Sequence, residues 1–147
     1  MANIIQISRG CEYALAAMTI LANLTRDEVM QAEQIAEATG APSKFMANIL
    51  TQLVKFNLLQ AHRGASRGYR LARPASQISV LEVIEAYDGE FTKPWCFMDS
   101  QRMCSDAEPC ALHVTWIEMK DSIRAKLANK TIADLAAGPP ASGGKSI

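Results

Sequence analysis

The hydrophobic period changes twice between Ala32 and Leu71, and this constrains the fold more than any other feature of the chain. Residues 32–40, Ala-Glu-Gln-Ile-Ala-Glu-Ala-Thr-Gly, suit a short helix with Ile35 and Ala36 turned inward and Gly40 as its C-cap. A second helix follows at once, with Pro42 at its start and Ser43 as the candidate cap. Its apolar residues Phe45, Met46, Ile49, Leu50, Leu53 and Val54 recur at intervals of three and four, the pattern of a buried helical stripe. Two helices joined by a short turn, the second amphipathic, predict a helix-turn-helix. After Asn57 the pattern becomes extended. Residues 58–62 and 69–71 are strand candidates around Arg63-Gly64-Ala65-Ser66-Arg67-Gly68, a glycine-containing hairpin loop. A helix-turn-helix followed by a basic hairpin is a winged helix.

The charge distribution gives that shape a partner. Over 147 residues, 15 Lys and Arg balance 15 Asp and Glu, a total that by itself argues against nucleic acid. Located along the chain, residues 1–75 carry +3 and the remainder −3, and from Lys44 to Arg73 six basic residues occur without one Asp or Glu. A slim helix fits the major groove of double-stranded DNA, and arginines on a wing reach phosphates or the electronegative minor groove. Ser43, Lys44 and Phe45 are the predicted major-groove contacts, and Arg63 and Arg67 those of the wing.

With 49% hydrophobic and 20% charged residues the composition is that of a soluble globular protein and excludes wholesale disorder. No run approaches the roughly 20 apolar residues of a membrane span. The N-terminus lacks the pattern of a signal peptide, so a cytoplasmic, reducing location is expected.

Around the reader, residues 7–24 read as an amphipathic first helix, with Cys11 as a small buried side chain. Ser79 and Glu82 have capping-box spacing at the start of another helix that stops near Asp88-Gly89. Residues 90–109 have no clear period and read as an ordered or ligand-ordered loop. Leu112, Trp116, Met119, Ile123 and Leu127 then recur at four, three, four and four residues, one seam on a helix over 111–129. The economical cover for that seam is the same helix of a second subunit, although folding back onto its own domain is the alternative. Thr131, with Asp134 three residues on, caps a last short helix. His62, on the wing, is expected to face solvent or a phosphate. The fold class expected is mainly α with a small β-hairpin: a winged helix-turn-helix domain at 1–75, a loop and dimerisation helices at 76–137, and a disordered tail at 138–147.

Cys96, Cys104, Cys110 and His113 put three thiols and an imidazole into 18 residues. Thiolates ligate iron-sulfur clusters and zinc, and both are chemically open here, although neither cysteine pair has the spacing of a zinc knuckle. A metal-free thiol-disulfide pair is a further possibility. If the last long helix starts near Cys110, then Cys110 and His113 share one face at i and i+3, which lets His113 serve as fourth ligand. Glu12 on the first helix, from the same or the other subunit, is the alternative. No nucleophile and base pair and no phosphate-cradling glycine motif occurs, so an enzyme is not expected.

From residue 7 to residue 135 the chain resembles the Rrf-two (BadM-type) winged-helix regulators. The resemblance rests on Glu12-Tyr13-Ala14-Leu15, Ile35-Ala36, the 53–59 stretch, Arg63-Gly64 and Gly68-Tyr69-Arg70-Leu71-Ala72-Arg73-Pro74. It continues through Ile78, Val83, Gly89, the three cysteines, Trp116 and Thr131-Ile132-Ala133-Asp134-Leu135. It implies a homodimeric transcriptional regulator that binds a pseudo-palindromic operator and whose long C-terminal helices cross. Members with three cysteines in this loop resemble iron-sulfur sensors of the IscR, NsrR and RirA kinds. The resemblance carries the cluster ligands onto Cys96, Cys104 and Cys110, one cluster per subunit. His113 matches the fourth ligand of the [2Fe-2S] cluster-biogenesis regulators, Glu12 stands at an acidic ligand position of other members, and the cysteine spacing is nearer to the [4Fe-4S] iron regulators. One departure lies in the wing, where Arg67-Gly68-Tyr69 replaces the usual Gly-Gly-Tyr.

The implied function is DNA-binding regulation that senses iron, redox state or nitric oxide. The competing readings are a zinc or thiol-redox regulator of the same fold, and an iron-sulfur or zinc interaction module that does not bind DNA. Only the first two predict duplex affinity that falls steeply with salt.

Overall fold

Ser8 opens the first helix: its hydroxyl accepts the N–H of Cys11 at 3.1 Å, and α1 runs Arg9–Leu21. Ser8 also holds the far end of a later helix, because its N–H and hydroxyl both donate to the Asp88 carboxylate. The computed structural model describes residues 6–139. The part of the expected tail beyond residue 139 lies outside the described residues.

α2 spans Ala32–Thr39 and ends at Gly40. α3 spans Ser43–Lys55, with Pro42 in the N-cap position. Ser43 is therefore the first helical residue and not the cap. Proline's fixed φ suits the start of a helix, and the chain enters α3 one residue earlier than the Ser43 reading supposed. Met46, Ile49, Leu50 and Leu53 of α3 are fully buried and pack with Ala14, Ala17, Met18 and Ile35. Truncating one such leucine to alanine costs about 2–5 kcal/mol.

Asn57, at φ 61°, turns the chain out of α3 into β1 (Leu59–His62). β1 pairs antiparallel with β2 (Gly68–Leu71) in the register Leu59 to Leu71, Gln60 to Arg70, Ala61 to Tyr69 and His62 to Gly68. Met30 extends the ribbon on its other edge, exchanging both main-chain hydrogen bonds with Tyr69 at 3.0 and 2.8 Å. Gly68 is required there: a Cβ on it would lie 2.8 Å from the Met30 carbonyl oxygen, and its φ is 153°. The non-glycine Arg67 costs the wing nothing, because the left-handed positions around the loop fall on Gly64 and Gly68.

α4 (Val80–Asp88) begins with the expected capping box, in which Ser79 accepts from the Glu82 N–H and Glu82 accepts from the Ser79 N–H. After the cysteine-bearing loop, α5 spans His113–Asn129 and α6 spans Ile132–Ala137, the latter capped by Thr131 and Asp134. Ile78, Val83, Ala86 and Ile132 belong to the same buried cluster as the residues of α1 to α3. The chain closes on itself at this point, since the Val80 N–H donates to the Lys130 carbonyl at 2.8 Å and the Ile132 N–H to the Ile78 carbonyl at 2.9 Å.

The seam of α5 divides. Leu127 folds back against Cys11, Val80 and Ile84, and Arg124 forms a two-pronged bridge to Glu85 at 2.7 and 3.1 Å. Trp116 is buried beneath the cysteine loop, whereas Met119 remains 45% exposed. Among the described residues, no helix is long and apolar enough to cross a membrane.

Candidate cysteine centre and nucleic-acid interface

The loop between α4 and α5 is built as a miniature hairpin. Trp95 bridges Met103, the Cys96 N–H donates to the Arg102 carbonyl at 2.9 Å, and the Cys104 N–H donates to the Pro94 carbonyl at 2.7 Å. Its turn is closed by Asp99, whose carboxylate accepts the Gln101 N–H at 3.0 Å. Asp followed by Ser was the signal for this turn, because an Asp side chain bonds the main chain two residues on. Two bridging residues are too few for a legible alternation.

Trp116 fastens the hairpin to α5. Its indole N–H donates to the Trp95 carbonyl at 3.0 Å, and the Phe97 ring packs against it at 5.1 Å between centroids. Lys120 lies over the indole at 5.5 Å and donates to the Lys93 carbonyl. The loop is thus held by α5's own side chains.

The four expected donors meet in two pairs. The sulfurs of Cys96 and Cys110 are 3.6 Å apart, and the Cys104 sulfur is 3.2 Å from Nδ1 of His113. Nε2 of His113 faces the Asp106 carboxylate at 2.7 Å, which fixes the ring so that Nδ1 is presented to the thiol side. Cys96 and His113 are each 7% exposed. Main-chain N–H groups, that of Met98 foremost, hold the Cys96 thiol below its ordinary pKa. The expected i and i+3 pairing of Cys110 with His113 on one helical face does not occur. Cys110 precedes α5, its carbonyl accepts the His113 N–H at 3.1 Å, and the imidazole turns to Cys104 instead.

Glu12 is exposed on α1, 3.7 Å from Arg9, and among the described residues it belongs to no group of three metal-ligating side chains. Cys11 is fully buried, and burial pushes its thiol up to about 12. Among the described residues, no three His, Cys, Asp or Glu side chains converge on a single point as one metal ion would require.

On the reader, Ser43 and Lys44 are exposed at the first turn of α3, and Arg63 and Arg67 are exposed on the wing. Asn48, which the sequence did not single out, is exposed one turn beyond Lys44. Phe45 differs: it is half-buried, edge-on to Tyr13 at 5.9 Å, and packs on the core. His62 also departs from expectation, since its Nε2 is buried without a hydrogen-bond partner.

A basic reader helix and wing beside a cysteine-bearing loop correspond to one known family. The family model of Rrf2, described as an iron-dependent transcriptional regulator, matches residues 7–138. The chain belongs to the Rrf2 family. Among Rrf2-like relatives, an HTH-type transcriptional regulator of Mycobacterium tuberculosis is 34% identical over 90% of this chain and 82% of its own length. IscR of Yersinia enterocolitica is 30% identical over 87% of this chain and 76% of its own. The solved structure of CymR, the global cysteine regulator of B. subtilis, superposes with a TM-score of 0.78 at 22% identity, covering 90% of this chain and 97% of that one. The winged-helix fold and membership among transcriptional regulators, not enzymes, follow from these matches.

Proposed function

We propose that this Rrf2 protein is a homodimeric regulator that binds a pseudo-palindromic operator in double-stranded DNA and senses iron, redox state or nitric oxide through one iron-sulfur cluster per subunit. The observation that carries the reading is the pairing of donors, Cys96 with Cys110 at 3.6 Å and Cys104 with His113 at 3.2 Å, at the foot of α5. Two thiolates on one tetrahedral metal at about 2.3 Å sit about 3.8 Å apart, so the first pair already has the required spacing. A mononuclear zinc site would need all four donors on one point; a [2Fe-2S] centre takes two protein donors at each iron and suits two pairs.

Cys96, Cys104, Cys110 and His113 would hold the cluster, with Glu12 of a second subunit as the other candidate for the fourth position. When bound, such a group supplies a centre whose charge and integrity respond to electron transfer and to reactive gases. The protein's own residues supply the rest. Asp106 orients His113, and Trp116 links the loop to α5, while Met119, 45% exposed, leaves that part of the α5 seam open to a second copy. For sensing, the two cluster states must differ in DNA affinity. Ser43, Lys44, Arg63 and Arg67 are the proposed DNA contacts, with Phe45 supporting α3 from behind.

Anaerobic purification followed by native mass spectrometry tests this reading. Dimers carrying two irons and two sulfides per subunit are expected, with His113→Ala losing the cluster and Glu12→Ala deciding the alternative ligand. Zinc alone, or protein that takes up no iron on reconstitution, would sink it.

A further inference from the structure

We propose that Cys96 and Cys110 form a reversible disulfide in the metal-free protein, oxidised by a peroxide and reduced by a low-molecular-weight thiol. Their sulfurs are 3.6 Å apart although they lie on separate segments, Cys96 on the hairpin and Cys110 just before α5. Reaching the bonded distance of about 2.05 Å needs a relative approach of about 1.5 Å, within the range of side-chain rotation and a small shift of the loop. Cys104 is otherwise engaged, its sulfur against His113 at 3.2 Å, and Cys11 is fully buried on α1. The geometry therefore selects one pair among the four cysteines.

Accessibility orders the chemistry. Cys110 is half-buried and Cys96 is buried, so the peroxide meets Cys110 first. The Cys110 thiolate attacks one peroxide oxygen, the O–O bond breaks, and the sulfur becomes a sulfenic acid with release of water. The Cys96 thiolate then attacks that sulfur; the S–S bond forms, the S–O bond breaks, and a second water leaves. In sum, two thiols and one hydrogen peroxide give one disulfide and two waters. Thiol-disulfide exchange with glutathione reverses the step.

The consequence rests on the iron-sulfur reading above. A bonded Cys96 and Cys110 cannot ligate, so the disulfide withholds the site from cluster insertion until thiols are plentiful. The sensor would then require reducing conditions as well as iron.

The test uses the full-length, metal-free, reduced chain, exposed to one equivalent of hydrogen peroxide, alkylated with iodoacetamide and mapped by peptide mass spectrometry. Loss of two hydrogens is expected, with a linked pair of tryptic peptides separated at Arg102, and glutathione should restore all alkylation. The link should persist in Cys104→Ser and vanish in Cys110→Ser and Cys96→Ser. A link surviving in Cys110→Ser, or wild-type protein in which every loop cysteine stays alkylatable, overturns the proposal. Circular dichroism confirms that each variant is folded before mapping. Iron reconstitution of the reduced wild type is scored separately, so failure there removes the sensor reading and leaves the disulfide standing.

Discussion

The indole N–H of Trp116 donates to the main-chain carbonyl of Trp95 at 3.0 Å, joining α5 to the hairpin that carries two of the three loop cysteines. Both ends of this bond matter to the site, because Trp95 precedes Cys96 and Trp116 lies one turn beyond His113. Movement of either segment is felt by the other.

Trp116→Phe keeps the ring against Phe97 and removes the bond. The expected cost is about 1 kcal/mol, since a part-buried carbonyl loses its partner. Hydrogen exchange should quicken over residues 94–104 and stay unchanged in α1 to α3. Uniform quickening across the chain would contradict the local role given to Trp116.

Arg63→Ala should weaken duplex binding and lower the slope of log affinity against log salt by about one, the signature of one lost phosphate contact. Lys44→Ala should act in the same direction. Unchanged affinity at fixed salt for both variants would remove the wing and the start of α3 from the interface.

Gly68→Ala should destabilise the wing by more than about 1 kcal/mol, because the native φ suits glycine and the new methyl meets the Met30 carbonyl. Urea unfolding measures the loss. Gly64→Ala is the comparison: its φ is also positive, at 94°, but no atom lies within 4 Å of the added methyl. Gly64→Ala should therefore cost less than Gly68→Ala.

The Glu85 carboxyl is held below its ordinary pKa chiefly by its hydrogen bonds to Arg124. A carboxyl lowered in the folded state contributes stability above its unfolded pKa, about 4.3, and loses that contribution as pH falls through the folded value. Glu85→Gln should thus be less stable than the wild type at pH 7, by at most about 1 kcal/mol for so exposed a pair. The gap should close below pH 4. A difference that does not change with pH would contradict the ion-pair account.

Much of the fold was legible because its signals are local. The stripe from Met46 to Leu53, the Ser79 and Thr131 caps and the glycines of the wing each act within a few residues of themselves. Tertiary contacts decided the remainder. Phe45 continues the apolar stripe but also meets Tyr13 from another helix, and the Nε2 of the half-buried His62 is closed off from solvent, which no local pattern foretells. The donor set Cys96, Cys104, Cys110 and His113 could be named from residue type, but its division into pairs depends on the Trp95 and Met103 bridge and on α5 starting only at His113. The seam on α5 was visible as a period; that Leu127 would turn inward and Met119 outward was not, since a helical repeat does not specify which neighbour covers each turn.

The hydrogen bonds between residues 78–80 and 130–132 give the molecule a freedom of a different kind. The chain leaves α4 at its Gly89 end and is tied back at Thr131 beside Ser79, the opposite end of the same helix, so the cysteine-bearing excursion starts and finishes on α4. Loop-closure entropy grows only slowly with length, by about 0.6 kcal/mol for each doubling. Such an insert can be lengthened, shortened or given other ligands at little expense to the reader beneath it. One DNA-binding frame can therefore be refitted to different signals by rewriting the loop between Gly89 and His113, while Arg124 and Leu127 keep α5 on its partners.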